Sequence, residues 1–148
     1  MSLRTLRRLS LLALLSFALL SFPGRGPASG QELVDLVIRT VDVEPTKSSG
    51  DAWDAFNGKP DLKVTVKSGR KRHTTAVVNN TMQTDFKSRA LRVAPGTAIE
   101  IIVADDDVAV DDEIGRRTMT LGAEHIGPGG MVCGPFGRVR SLVLEFRR

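Results

Sequence analysis

Tyrosine is absent from this 148-residue sequence, cysteine occurs once, histidine twice, and aromatic residues make up only 5% of it. Each scarcity removes a class of explanation. With Cys133 as the single cysteine no internal disulfide can form, so stability has to come from core packing, and Cys133 itself reads as a small buried hydrophobe. His73 and His125 have no neighbouring nucleophile pattern and no metal-ligand spacing, and there is no Gly-x-Ser-x-Gly elbow, so the sequence offers no enzyme signature. The acids present suit catalysis poorly: a catalytic carboxylate pair needs an enclosing cleft, and a crowd of exposed acids is the opposite environment. Gly127-Pro128-Gly129-Gly130 lacks a following Lys-Ser/Thr and is expected to be a loop rather than a phosphate cradle.

Long apolar runs are also missing, apart from Leu9 to Phe22. That run is too short to cross a hydrocarbon layer of roughly 30 Å comfortably. It follows Arg4, Arg7 and Arg8 and precedes the small-residue stretch Ala28-Ser29-Gly30, the arrangement of a cleaved export signal of bacterial type. The expectation is therefore a leader over 1–30, one domain over 31–148, no transmembrane helix once the leader is removed, and a periplasmic or secreted location. The formal charge of +4 belongs to the precursor: the leader holds four arginines and no acids, leaving 17 basic and 17 acidic residues. A neutral mature chain gives no support to nucleic-acid binding.

What remains is patterned with period two. Strands are expected over 33–43, 62–67, 72–79, 89–93, 97–104, 116–121 and 138–146, with turn signals at Gly50, Gly58-Lys59-Pro60, Ser68-Gly69 and Pro95-Gly96. No helical period of useful length survives beyond the leader. The fold class is all-β, an antiparallel sandwich of seven to eight strands.

One stretch stands apart. In VADDDVAVDDEIG, residues 103–115, an alternating apolar strand runs into Asp105, Asp106, Asp107, Asp111 and Asp112. Like charges about 4 Å apart repel by roughly 1 kcal/mol in water and by more where solvent is excluded, so such a loop calls for a cation or a basic partner. Continued extended geometry sends Asp105 and Asp107 to one side and Asp106 to the other. The turn at 108–110 then brings Asp111 and Asp112 back towards the first pair. Clustered carboxylates without His or Cys suit Ca2+ and not zinc. The EF-hand pattern fails, because counting from Asp105 its required Gly and Glu positions hold Val110 and Arg116. A second acidic segment, with Asp51, Asp54 and Asp61, precedes the strand Leu62, Val64, Val66. Solvated acidic loops are the other reading of both segments.

The run DxxxxxPDLKV, then HTTAVVNNTMQTDF at 73–86, then IEIIVADDDVAVDDEIG at 99–115, resembles the C2 domain, a calcium- and phospholipid-binding β-sandwich. The likeness covers about 33–146. It implies that Asp54 and Asp61 serve in a first calcium loop and Asp105, Asp107 and Asp112 in a third. Asp51 competes with Asp54, and Asp111 with Asp112. Pro60-Asp61-Leu62 departs from the family's Asp-Pro-Tyr, and the third loop is one residue short. The extra last strand, Leu142, Leu144 and Phe146, resembles the circularly permuted order of part of that family.

Partners follow from the resemblance. A loop that does not encircle its ion leaves coordination positions for an anionic ligand, here implied to be a phospholipid headgroup or another anionic surface. Phe56, Val108 and Val110 are candidates to enter a membrane interface, or else to pack within the loops. Trp53 is expected to be a packed anchor. Lys67, Arg70, Lys71 and Arg72 form either an anionic-ligand patch or a charged strand edge. The alternative function is a calcium-independent structural or adhesion sandwich whose acidic loops contact a protein partner.

Overall fold

A computed structural model describes residues 32–54, 58–107 and 110–148. Eight strands form two four-stranded antiparallel sheets: β1 (Val34–Val43), β2 (Leu62–Ser68), β3 (Lys71–Thr74), β4 (Gln83–Val93), β5 (Ala98–Asp105), β6 (Asp112–Thr120), β7 (Gly127–Cys133) and β8 (Val139–Arg147). One sheet has the order β4-β1-β8-β7 and the other β3-β2-β5-β6. A single strand precedes the first acidic loop, and the last strand lies beside it, as the permuted order requires.

The alternation that marks these segments as strands also fills the core. Leu62, Val64 and Val66 of β2, Ile99, Ile101 and Val103 of β5, and Leu142, Leu144 and Phe146 of β8 all point inward and are buried. Each contributes about 1.5–3 kcal/mol of transfer free energy. In β1 the buried phase changes from Val34, Leu36 and Ile38 to Val41 and Val43, across a register shift between Ile38 and Val41 in the pairing with β8. The extra residue is a bulge, which turns the following side chains to the opposite phase. Trp53 is buried as expected, its indole N–H donating to the Glu44 carbonyl at 2.8 Å, and Cys133 is a buried free thiol.

Several expected boundaries move. The strand placed at 72–79 ends at Thr74, after which the chain stays tied to β2 by hydrogen bonds between Thr75 and Val64 and by a bridge between Leu62 and Val78 before it crosses to the other sheet. Ala76, Val77 and Val78 are apolar without being core. β4 begins at Gln83 rather than 89, and β6 at Asp112 rather than 116. The Gly127-Pro128-Gly129-Gly130 run is part of edge strand β7 and not a loop. Positive φ at Gly129 and Gly130 (105° and 70°) accommodates a register shift between Gly127 and Met131, and a Cβ on Gly130 would lie 2.7 Å from the Leu144 carbonyl oxygen. Among the described residues no helix is long and apolar enough to cross a membrane.

Candidate metal centre

The end of β1, the start of β2, the end of β5 and the start of β6 meet at one end of the sandwich, with Leu62 paired to Asp105 and Asp105 paired to Asp112. Both acidic segments therefore converge there. β5 places its aspartate by simple continuation: Asp105 follows Ile99, Ile101 and Val103 in the inward phase, so its carboxylate caps the apolar core instead of facing water. It is fully buried.

One Asp105 oxygen, Oδ1, accepts the Asp61 main-chain N–H at 2.6 Å. The other, Oδ2, is buried and has no hydrogen-bond partner among the described residues. A buried polar atom left in that state costs on the order of 1–3 kcal/mol, and more for a charged group. Burial pushes the Asp105 carboxyl up to about 6; the Asp61 N–H opposes that rise, while the charges of Asp54, Asp107 and Asp61 add to it. Asp107 is raised as well, by partial burial and then by Asp112.

Asp54, Asp105 and Asp107 bring carboxylate oxygens within 4.8 Å of one another. The three are an all-oxygen donor set with one uncompensated buried atom, which fits a hard cation such as calcium and offers zinc neither nitrogen nor sulfur. Asp54 and Asp105 come from different segments, joined because the Asp61 carbonyl accepts the Asp106 N–H at 2.9 Å while its own N–H binds Asp105. The Asp61 carboxylate stands outside the group of three and accepts the Asn80 N–H at 2.7 Å. Asn80 has a φ of 54°, a left-handed conformation that asparagine tolerates, and its own side chain accepts the Lys59 N–H at 3.2 Å.

The remaining acids divide between two lysines. Lys47 Nζ pairs with Asp112, on the side of the loop that holds Asp107. Lys63 Nζ pairs with both Asp106 and Asp111, the latter at 2.6 Å. Of the two competitors in the third loop, Asp112 is paired with Lys47 and Asp111 shares Lys63 with Asp106, and the charges of both act on Asp107, that of Asp112 the more strongly. In the first loop Asp51 is exposed and accepts the Ser49 hydroxyl at 2.7 Å, whereas Asp54 joins the group. Val110 is 77% exposed at the tip, and Phe56 and Val108 lie outside the described residues.

The two acidic loops are braced by the turn between β7 and β8. Arg138 donates from Nε to the Thr46 carbonyl at 2.8 Å and from Nη2 to Thr46 Oγ1 at 3.1 Å, while its main-chain N–H reaches the Ile114 carbonyl at 2.8 Å. This close approach requires glycine at 115, where a Cβ would lie 2.6 Å from the Phe136 carbonyl oxygen. Neither Lys47, Lys63 nor Arg138 carries a spacing signal in the sequence. Lys63 is legible only as an outward residue of β2, and nothing local shows that its ammonium bends back onto two aspartates of a distant loop.

Lys67, Arg70, Lys71 and Arg72 surround the β2–β3 turn at the other end of the sandwich, about 20 Å away along the seven residues of β2. Lys67 pairs with Glu100 at 3.0 Å, and Arg70, Lys71 and Arg72 are exposed.

Neither protein-family models nor curated proteins yielded a match. Solved structures did. A portion of extended synaptotagmin 2 containing two C2 domains, calcium bound, superposes with a TM-score of 0.56 at 17% identity, over 78% of this chain and 45% of that one, so the chain spans less than half of that neighbour. A C2-domain protein from Ramazzottius varieornatus gives a TM-score of 0.60 at 16% identity over 78% of this chain and 86% of that one. A single C2 domain of plant extended synaptotagmin 1 gives 0.56 at 13% identity over 79% and 95%. Two antiparallel sheets, a lone strand before the first acidic loop and these neighbours lead to one conclusion, that the chain has the fold of a C2 domain.

Proposed function

We propose that the protein is an exported, non-enzymatic calcium-binding module that attaches to phospholipid or another anionic surface. The observation that carries this reading is Asp105: a fully buried carboxylate with an unpartnered oxygen, grouped with Asp54 and Asp107 within 4.8 Å. Calcium bound by these three, with Asp112 and Asp61 at the margin, supplies the missing partner and removes the mutual repulsion of the acids. Calcium in the extended-synaptotagmin structure supports the same use of this fold here. With one oxygen from each of the three, and the other Asp105 oxygen held by the Asp61 N–H, the carboxylates leave part of calcium's shell of 6 to 8 oxygens to an anionic headgroup. Val110, exposed at the tip, then meets the interfacial region once the acids are neutralised. The arginine-led leader supports export to a periplasm or beyond the cell.

The rival is a calcium-independent sandwich contacting a protein partner, and it is favoured by the lysine partners of Asp106, Asp111 and Asp112, which neutralise much of the loop without an ion. Thermal unfolding in chelator and across micromolar to millimolar calcium, with magnesium as control, separates the two. A calcium-specific rise of the midpoint is expected, and an unchanged midpoint at millimolar calcium would sink the proposal. Sedimentation with anionic and neutral liposomes, with and without calcium, then tests attachment.

A further inference from the structure

From its contact with Asp112 and its place beside the acids of the centre, we infer that Lys47 is a tethered counter-cation that occupies the mouth of the metal centre in the calcium-free protein and must leave when calcium enters. The inference rests on the calcium reading above and adds a regulatory part to it. Lys47 is not a chance surface lysine. Its main-chain N–H donates to the Asp51 carbonyl at 2.8 Å, and its own carbonyl accepts the Gly50 N–H at 3.0 Å, closing a tight turn. Thr46, immediately before it, is gripped by Arg138 through two hydrogen bonds. The ammonium lies 5.9 Å from the centre of the Trp53 ring, itself buried and fixed to Glu44. A rigid base thus delivers a flexible cation to Asp112, within the fields of Asp107 and Asp105.

The side chain is 30% exposed, so it has a path out, unlike the fully buried Asp105. Lys63 supplies the contrast. It clips Asp106 to Asp111 on the other side of the loop, is 16% exposed, and its ion pairs involve none of the three grouped carboxylates. Two cations of one charge type therefore divide the work, Lys63 holding the loop's shape and Lys47 holding a place. Because a monovalent tethered cation and a divalent free one compete for the same field, Lys47 lowers calcium affinity, and a fixed unit charge at this range in a partly solvated site accounts for about a tenfold effect.

The test is calcium titration by calorimetry on the wild-type protein and on Lys47→Met, Lys47→Arg and Lys63→Met, with calcium chloride as the probe. Methionine keeps a comparable apolar stem over Trp53 while deleting the charge. Lys47→Met is expected to bind calcium about tenfold more tightly and Lys47→Arg to match the wild type, while Lys63→Met, which unpairs Asp106 and Asp111 and loosens the loop, is expected to show no such tightening. In chelator Lys47→Met is expected to melt below the wild type, and saturating calcium to raise its midpoint by more; Lys47→Gln repeats the comparison should the methionine variant fold poorly. Calcium binding by the wild type with unchanged or weaker binding by both neutral variants would overturn the inference and leave the proposed function intact. Binding by the neutral variants alone would uphold the inference and overturn calcium as the native ligand. No binding by any variant would overturn both.

Discussion

The two ends of the sandwich carry opposite charge in physically different ways. At the β2–β3 turn, Arg70, Lys71 and Arg72 are exposed, and each cation keeps its water. At the other end a carboxylate is fully buried, two lysines are folded onto the loop that follows it, and one acidic oxygen is left without a partner among the described residues. An exposed cluster needs little compensation, because water screens it. A buried one raises the energy of the fold until something positive arrives. Charge density alone does not separate the two ends; desolvation does.

The sharpest way to break the comparison is to remove the buried charge. In Asp105→Asn the remaining side-chain oxygen still accepts the Asp61 N–H, and the new amide donates towards Asp54 and Asp107. Calcium affinity is expected to fall by at least about a hundredfold, while the calcium-free protein melts a few degrees higher, because an uncompensated charge has been deleted. Calorimetry and chelator melts check the two halves. A drop in stability alongside lost binding would mean that the carboxylate is held by contacts beyond those described.

Legibility in the sequence differs between strands and centre. Period-two alternation identifies β2, β5 and β8 to within a residue or two, because one face of each carries a run of buried apolar residues, while few on the other are buried, Thr65 of β2 and Ala104 of β5 among them. It fails at Ala76-Val77-Val78, where apolar residues cross between sheets, and at Gly127–Gly130, where glycine disguises an edge strand whose partner β8 supplies the order. The same alternation, carried one step past Val103, places Asp105 and Asp107 together and Asp106 apart, as the structure has them. It does not show that Asp105 is buried, since that depends on the neighbouring strands closing over it. Lys47 reaches Asp112 across 65 positions and Lys63 reaches Asp106 across 43, separations at which no local pattern exists.

Bracing is the next lever. Gly115→Ala forces a methyl to within 2.6 Å of the Phe136 carbonyl and displaces the turn through which Arg138 holds Thr46. A loss of about 1–3 kcal/mol is expected, seen as a lower urea midpoint, and calcium affinity should weaken with it although no ligand has changed. Unchanged affinity would show that the loops keep their relative position without the brace.

A smaller effect comes from pH. The folded Asp105 carboxyl, at about 6, lies above its ordinary 3.8, so the folded state takes up a proton first as pH falls. Stability of the calcium-free protein is therefore expected to rise as pH is lowered from 7 through 6 towards 4, and to be lost again as pH is raised through 6. Melting curves in chelator should show the midpoint higher at about pH 5 than at about pH 7, by a few degrees, and Asp105→Asn should flatten the difference. Saturating calcium should reverse the slope, because protons then compete with the ion for the same oxygens. A flat chelator profile in the wild type would indicate that the buried carboxylate has a compensating partner already.

The least effect is expected at the basic end, and its smallness is informative. Replacing Arg70, Lys71 and Arg72 together by serine removes three exposed cations from a turn that contributes little to the core, so stability should stay within about 0.5 kcal/mol. Calcium affinity should also be unchanged, since the turn lies about 20 Å from the centre, beyond the ~8 Å Debye length at physiological salt. Attachment to anionic vesicles is where the two ends can be weighed against each other. A membrane meeting the calcium-loaded loops head on leaves the β2–β3 turn pointing away, and the triple variant then sediments with vesicles as the wild type does. If instead its attachment falls and the loss grows at low salt, the sandwich must lie on its side, with β2 along the surface and both ends engaged.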